Sequence, residues 1–234
     1  MLSNLKTTKN TIKNFLKSIK VFLQNLAPQS KQNIKAVFQR RMVDGVWWGS
    51  ESLSGHGSDL KSTESLRKLL PNILSDFDVK SLLDAPCGDF LWMSTIDLKV
   101  DNYIGIDIVD EIIEMNQQKY IKEGFQFIAL DIINDDLPKT DLILCRDCLV
   151  HLSFKQIKKA ILNFKQSGST YLLTTTYPNL LKKNKDILTG EWRPLDLEKA
   201  PFYLPKPIMI VNENCVSDLK EKSLALWRLA DIEI

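Results

Sequence analysis

Apolar positions along this chain change their period near residue 79. Before it they recur at helical spacing; after it, short continuous apolar runs alternate with helical ones. The runs 79–84, 102–107, 125–130, 141–146 and 170–175 predict strands. Segments 109–121 and 154–166 predict helices. The second opens on Ser153 and Gln156 at capping-box spacing and turns Ile157, Ala160, Ile161 and Phe164 inward. Two more strands are predicted near 208–211 and 224–229. Strands alternating with helices pair in parallel, with helices covering both faces. The expected fold is α/β: a doubly wound, mostly parallel seven-stranded sheet of Rossmann-like form with an N-terminal helical extension.

Ahead of that core, Ile12, Phe15, Leu16, Ile19, Phe22, Leu23 and Leu26 form a helical stripe that Pro28 ends. Ile34, Val37, Phe38 and Met42 predict a second short helix. Leu60, Leu66, Leu69, Leu70, Ile73 and Leu74 predict a third, kinked or restarted at Pro71. Residues 45–58 (GVWWGSESLSGHGS) hold four of the nine glycines and two of the five tryptophans, which suits a backbone closing over a ligand. Residues 177–207 hold five of the nine prolines with Trp192, Phe202 and Tyr203. A structureless loop this long is usually functional, so it is assigned to substrate. The organisation expected is a basic amphipathic extension over 1–44 and a catalytic domain over 45–234, with the substrate loop inside it.

Composition changes this picture little. The 234 residues suit one domain with a full core and no need of disulfides, and four scattered cysteines agree with the reducing cytoplasm. No apolar run is long enough to span a bilayer, and the N-terminus lacks the marks of a secretory signal. Charge is more informative. Residues 1–43 carry nine Lys/Arg and no Asp/Glu, leaving 22 basic against 29 acidic side chains on the rest, a balance of −7. A basic arm on an acidic body has several readings: weak contact with a membrane surface, a nucleic acid, an acidic partner, or docking on its own body.

In doubly wound folds the ligand sits beyond the carboxyl ends of the strands. The first strand here ends in SLLDAPCGDF, whose turn has the single glycine Gly88, with Pro86 and Phe90 where a dinucleotide fingerprint has further glycines. A pyrophosphate cradle is not expected. The second strand ends in YIGIDI, placing Asp107 nineteen residues after Gly88, a suitable offset for a carboxylate that accepts from a ribose diol. Ribose binding without phosphate binding points to S-adenosylmethionine as cofactor; the alternative for Asp107 is a cap on the next helix.

These motifs, with FIALDI around Asp131 and DLILCRDCLVHL around Cys145, resemble in order the four motifs of class I S-adenosylmethionine-dependent methyltransferases, over about residues 79–175. More narrowly, SLSGHGSD, LLDAPCGDFLWM and YLLTTTYPN…TGEWRPLDL are similar to a bacterial group linked to sugar or surface-polysaccharide modification. The resemblance implies that Asp84, Ala85, Pro86, Cys87 and Gly88 border the methionine and ribose. It implies that Asp107 holds the diol, Ile108 lines the adenine, and Asp131 and Ile132 meet the adenine edge. Cys145 and Arg146 would border the methionine amino and carboxylate groups, a guanidinium being a planar match for the latter.

An alcohol acceptor needs its proton removed. His151 is the candidate base, with Asp147 four residues earlier to orient it; the alternative is a histidine that only braces the turn. Substrate contacts are expected from Trp48, Ser58, Asn184, Asp186, Trp192 and Arg193, since aromatic faces suit sugar rings and Arg193 suits a phosphate or carboxylate. Cys145, Cys148 and His151 lack a second ligand pair, so no metal is expected. The reading is O-methylation of a sugar or related small molecule, including a phosphorylated sugar, and no nucleic acid. The rivals are a nicotinamide-dependent oxidoreductase and a non-enzymatic module using the basic arm.

Overall fold

The computed structural model describes residues 31–46, 49–215 and 220–234; the stripe of residues 12–26 lies outside them, as do Trp47 and Trp48. In chain order the elements are α1 (Lys31–Val43), α2 (Glu64–Asp76), β1 (Ser81–Asp84), β2 (Asn102–Asp107), α3 (Asp110–Tyr120), β3 (Phe125–Ala129), β4 (Leu142–Cys145), α4 (Phe154–Gln166), β5 (Tyr171–Thr176), β6 (Met209–Asn212) and β7 (Ser223–Arg228). They build one seven-stranded sheet in the order β3-β2-β1-β4-β5-β7-β6. Strands β1 to β5 are parallel, and β7 runs antiparallel between β5 and β6.

Burial on both faces follows the strand period of two. Leu82, Leu142, Leu144, Leu173, Leu224 and Leu226 point to one side, where Leu66, Leu70, Ile73 and Leu74 of α2 and Ile113 of α3 cover them. Leu83, Ile143, Cys145, Leu172, Ala225 and Trp227 point to the other, under Ile157, Ala160, Ile161 and Phe164 of α4 and the loop residues Leu195, Leu197, Phe202 and Leu204. Strands apolar on both faces lost the alternation expected of a half-wet sheet, which is why they read as continuous runs. The Ser153–Gln156 capping box opens α4 as expected. Strand β1 starts two residues later than predicted, because the Asp141 carboxylate accepts from the backbone N–H groups of Lys80 and Ser81 and ends the ladder there. Helix α2 runs unbroken through Pro71, losing only the hydrogen bond a donor there would give to the Arg67 carbonyl.

Helix α1 packs on the body. Ile34 is buried in the α4-side core, Lys35 pairs with Asp110 at the start of α3 (2.5 Å), and Val37 and Arg41 press on Gly190. Gly190 has φ +91°, and an added Cβ would lie 2.6 Å from Arg41 Nε, so the loop reaches α1 only as glycine. No helix among the described residues is long and apolar enough to cross a membrane.

Phe164→Ala should cost about 3–5 kcal/mol of stability and Ser153→Ala about 1 kcal/mol, measured as shifts in the urea unfolding midpoint. A smaller loss for Phe164 than for Ser153 would mean that α4 is held by its cap and not by its buried face.

Candidate functional site

The carboxyl ends of β1, β2 and β4 open onto one cavity of about 310 Å³. That is near the low end of the roughly 300–1,000 Å³ usual for ligand pockets. Its floor is the turn after β1. Gly88 has φ +52°, and a Cβ there would collide with the Ser54 side chain, so conformation and space both require glycine. Phe90, at φ +57°, turns the other way into an aromatic cluster with Tyr103, Tyr120, Phe125 and Phe127. It stiffens the turn from beneath.

The glycine-rich segment is stitched over this floor by two aspartates. The Asp59 carboxylate accepts from the backbone N–H groups of Ser50, Glu51 and Ser52 at 3.0 Å each, and from the Ser50 hydroxyl at 2.8 Å. Burial pushes its pKa up, but these donors outweigh it and hold the group well below the usual carboxylate range. Gly49 passes so close that an added Cβ would strike this carboxylate. Asp89, from the β1 turn, accepts from Leu53 N–H (2.7 Å) and the Ser52 hydroxyl (3.0 Å), while Ser54 Oγ accepts from Asp89 N–H. Leu53, Ser54, Gly55, Gly57 and Ser58 thereby become one wall of the cavity, and Ile34, Phe38 and Met42 of α1 add another.

Asp107, at the end of β2, lines the cavity and is half-buried. Burial drives its pKa up to about 6, partly opposed by the N–H groups of Val109, Gly88 and Ile108. One oxygen accepts from Val109 N–H at 3.0 Å, closing the turn before α3, whose N-terminus has no side-chain cap. Asp84 also lines the cavity; burial pushes it to about 7 despite the Tyr103 hydroxyl at 2.7 Å and the nearby Arg146 charge. Pro86, Cys87, Ile108, Asp131 and Ile132 complete this half. Asp131 accepts from Ile133 N–H (2.8 Å) and Asn134 Nδ2 (2.7 Å), so it braces its own turn as it faces the cavity. Ala85 and Cys145, expected here, are fully buried in the core behind the lining.

The other half is charged. Arg146 donates to Glu213 Oε2 (2.6 Å from one terminal nitrogen, 3.1 Å from Nε) and to the Gly57 carbonyl (2.8 Å), with its guanidinium 5.5 Å from the Trp92 ring centre. It is committed to Glu213, which departs from the expectation that it is kept for a ligand carboxylate. Lys222 pairs with Asp147 (2.5 Å) and Glu213 (3.4 Å), and Asp147 also meets Arg146 (3.3 Å). Two cations and two carboxylates, three of them almost wholly buried, balance one another. Glu213 Oε1 has no hydrogen-bond partner among the described residues. Burial pushes Asp147 up, yet Lys222 and Arg146 prevail and hold it well below its usual range.

His151 lines the same cavity, and the Asp147 charge acts on its ring. Asp147 Oδ2 is paired with Lys222 and Arg146, and its Oδ1 lies 3.5 Å from the Thr175 hydroxyl, while His151 Nδ1 lies 2.9 Å from the Glu191 carbonyl. A carbonyl only accepts, so Nδ1 carries the proton and Nε2 is the basic nitrogen of the neutral ring. Burial lowers the pKa of the ring, keeping it neutral.

Of the residues expected at substrate, Ser58 and Trp192 line the cavity, the latter 6.3 Å from Tyr177 ring to ring. Trp48 lies outside the described residues. Arg193 is not among the residues lining the cavity: its guanidinium donates to the carbonyls of Leu149, Leu152 and Lys185, tying the long loop to the His151 turn. Asn184 binds the carbonyls of Asp196 and Ala200, and Asp186 caps the N-terminus of α4 through Phe154 N–H; both organise the loop away from the cavity.

No protein-family model matches the chain, and no curated protein matches it. Solved structures do. The N-methyltransferase NodS from Bradyrhizobium japonicum WM9 in complex with S-adenosyl-L-homocysteine is 16% identical, with 81% of this chain and 97% of that one covered at a TM-score of 0.61. Magnesium protoporphyrin IX methyltransferase from Synechocystis PCC 6803 with bound S-adenosylhomocysteine is 12% identical, covering 85% and 99% at 0.57. The 1,6-didemethyltoxoflavin-N1-methyltransferase of Burkholderia thailandensis is 14% identical, covering 85% and 90% at 0.57. Likeness at such identities speaks for architecture, and by architecture the chain has the fold of the class I S-adenosylmethionine-dependent methyltransferases.

Proposed function

We propose that this chain is an enzyme that transfers a methyl group from S-adenosylmethionine to a hydroxyl oxygen of a small, carbohydrate-related molecule. Asp107 carries the cofactor assignment. It is a strand-end carboxylate, desolvated by its surroundings and facing a cavity, and a ribose diol would donate two hydrogen bonds to it. Asp84 suits the ammonium of the methionine part, and Asp131 with Ile132 suits the adenine edge. A nicotinamide dinucleotide fits less well, because Ser54 fills the space at Gly88 that a pyrophosphate would approach. The matched structures support the cofactor but not the acceptor, since their names include N-methyltransferases and a porphyrin methyltransferase.

The cofactor supplies a methyl group on a sulfonium, which leaves as a neutral thioether. The chain has to align the acceptor, exclude water and receive a proton. For a hydroxyl acceptor, His151 Nε2 would receive the proton that the acceptor oxygen gives up on methylation. Glu191, through its carbonyl, sets the tautomer that allows this, and Arg193 holds the turn. The aromatic pair Tyr177 and Trp192 suits the face of a sugar ring. The acidic body disfavours a polyanionic acceptor such as nucleic acid.

A ribose diol favours the ionised form of Asp107, so binding below its folded pKa must first remove a proton. Calorimetric affinity for S-adenosylhomocysteine should fall up to about tenfold per pH unit below pH 6. Asp107→Asn should bind at least about tenfold more weakly at pH 7.5 and lose that steepening. A wild-type pH profile matched by the variant would remove Asp107 from the cofactor site.

His151→Gln should cut methyl transfer from labelled S-adenosylmethionine by about 10²–10⁴-fold, with S-adenosylhomocysteine affinity changed less than about threefold. Wild-type turnover in the variant would leave His151 as a brace only.

A further inference from the structure

We propose that Asp147 and Lys222 form a subsite for a vicinal diol of an uncharged acceptor, one hydroxyl donating to the carboxylate and its neighbour accepting from the ammonium. This rests on the methyltransferase reading of the adjoining half of the cavity. Both residues line the cavity, and their charged atoms are 2.5 Å apart. Asp147 Oδ2 is occupied by Lys222 and Arg146, while among the described residues its Oδ1 has only the Thr175 hydroxyl at 3.5 Å. That oxygen retains a strong acceptor site. Among the described residues Lys222 Nζ has two carboxylate partners for three protons, which leaves one donor for a ligand.

Backbone geometry holds this pair in place. Asp147 sits at φ +53°, with its N–H donated to Thr175 Oγ1 at 2.8 Å, an arrangement off the helical and extended norms and fixed by its surroundings. Gly57 lies directly over the pair: an added Cβ would be 3.1 Å from Asp147 Oδ2 and 3.7 Å from Lys222 Nζ.

Charge then selects the ligand. Arg146, Lys222, Asp147 and Glu213 sum to zero and lie largely out of water. An added cation would meet Lys222 and Arg146; an added anion would meet Asp147 and Glu213. Either would unbalance a desolvated neutral network, a costly change in a low dielectric. A neutral donor–acceptor pair of hydroxyls completes the network without changing its charge. The carboxylate is too strongly stabilised in its ionised form to be the base, so its part is to orient the acceptor.

The test uses the full chain saturated with S-adenosylhomocysteine, binding of the latter being verified first by calorimetry. Saturation-transfer NMR is then recorded with four probes: methyl α-D-mannopyranoside, cyclohexanol, D-glucosamine and D-glucuronate. The mannoside should give the strongest signal. Its affinity should fall about tenfold or more in Asp147→Asn and in Gly57→Ala, the latter crowding the pair without removing a charge. Melting temperatures and S-adenosylhomocysteine affinity serve as folding controls for both variants. No binding of S-adenosylhomocysteine to the wild type would overturn the methyltransferase reading, and this subsite with it. Good binding of S-adenosylhomocysteine with no preference for the mannoside, or with mannoside binding unchanged in both variants, would overturn the diol subsite alone.

Discussion

The strand order reverses between β1 and β4, and the site follows from that reversal. From β1 the chain crosses to β2 on one side, and from β4 it crosses to β5 on the other. The two departing turns diverge, so the carboxyl ends of adjacent strands cannot be closed by their own loops. Something else must cover the gap. Here the cover comes from the chain before the sheet (residues 49–59 and α1) and from the long loop after β5. Glycine is needed at two of the touch-down points, Gly88 beneath Ser54 and Gly190 against α1, and Gly57 passes close over Asp147.

Burying a charge in such a crevice is costly unless it is paired or hydrogen-bonded. The structure resolves this in two ways. Asp59 and Asp89 are matched with backbone N–H groups and hydroxyls, and Asp147 and Glu213 with buried cations, which makes all four structural anchors. Asp84 and Asp107 are incompletely matched, and burial leaves them near 7 and 6. Incomplete matching in a cavity marks positions where ligand donors are still wanted. The two groups lie at neighbouring strand ends, as one extended ligand would require.

Much of this was legible in the sequence. Doubly buried strands leave apolar runs, so all seven strands could be placed to within about two residues, and the strand-end carboxylates followed from the register. The capping box was equally local. What escaped was whatever depends on distant partners. Glu213 and Lys222, at the two ends of the loop joining β6 to β7, reach Arg146 and Asp147 from 67 and 75 residues away, with no spacing to announce them. Arg146 and Arg193 were read as ligand-binding cations because a guanidinium fits a carboxylate, but a buried guanidinium fits backbone carbonyls and a buried Glu as well. Asp59 left a faint signal, an aspartate closing a Gly/Ser-rich run, which is a common means of gathering backbone N–H groups.

The central claim is that this crevice holds an adenosine whose other half bears no phosphate. Calorimetry of the full chain against S-adenosylhomocysteine, and separately against NAD, tests it most directly. Saturable one-to-one binding of the first with no heat from the second is the predicted result. Saturable binding of NAD in place of S-adenosylhomocysteine would contradict the account.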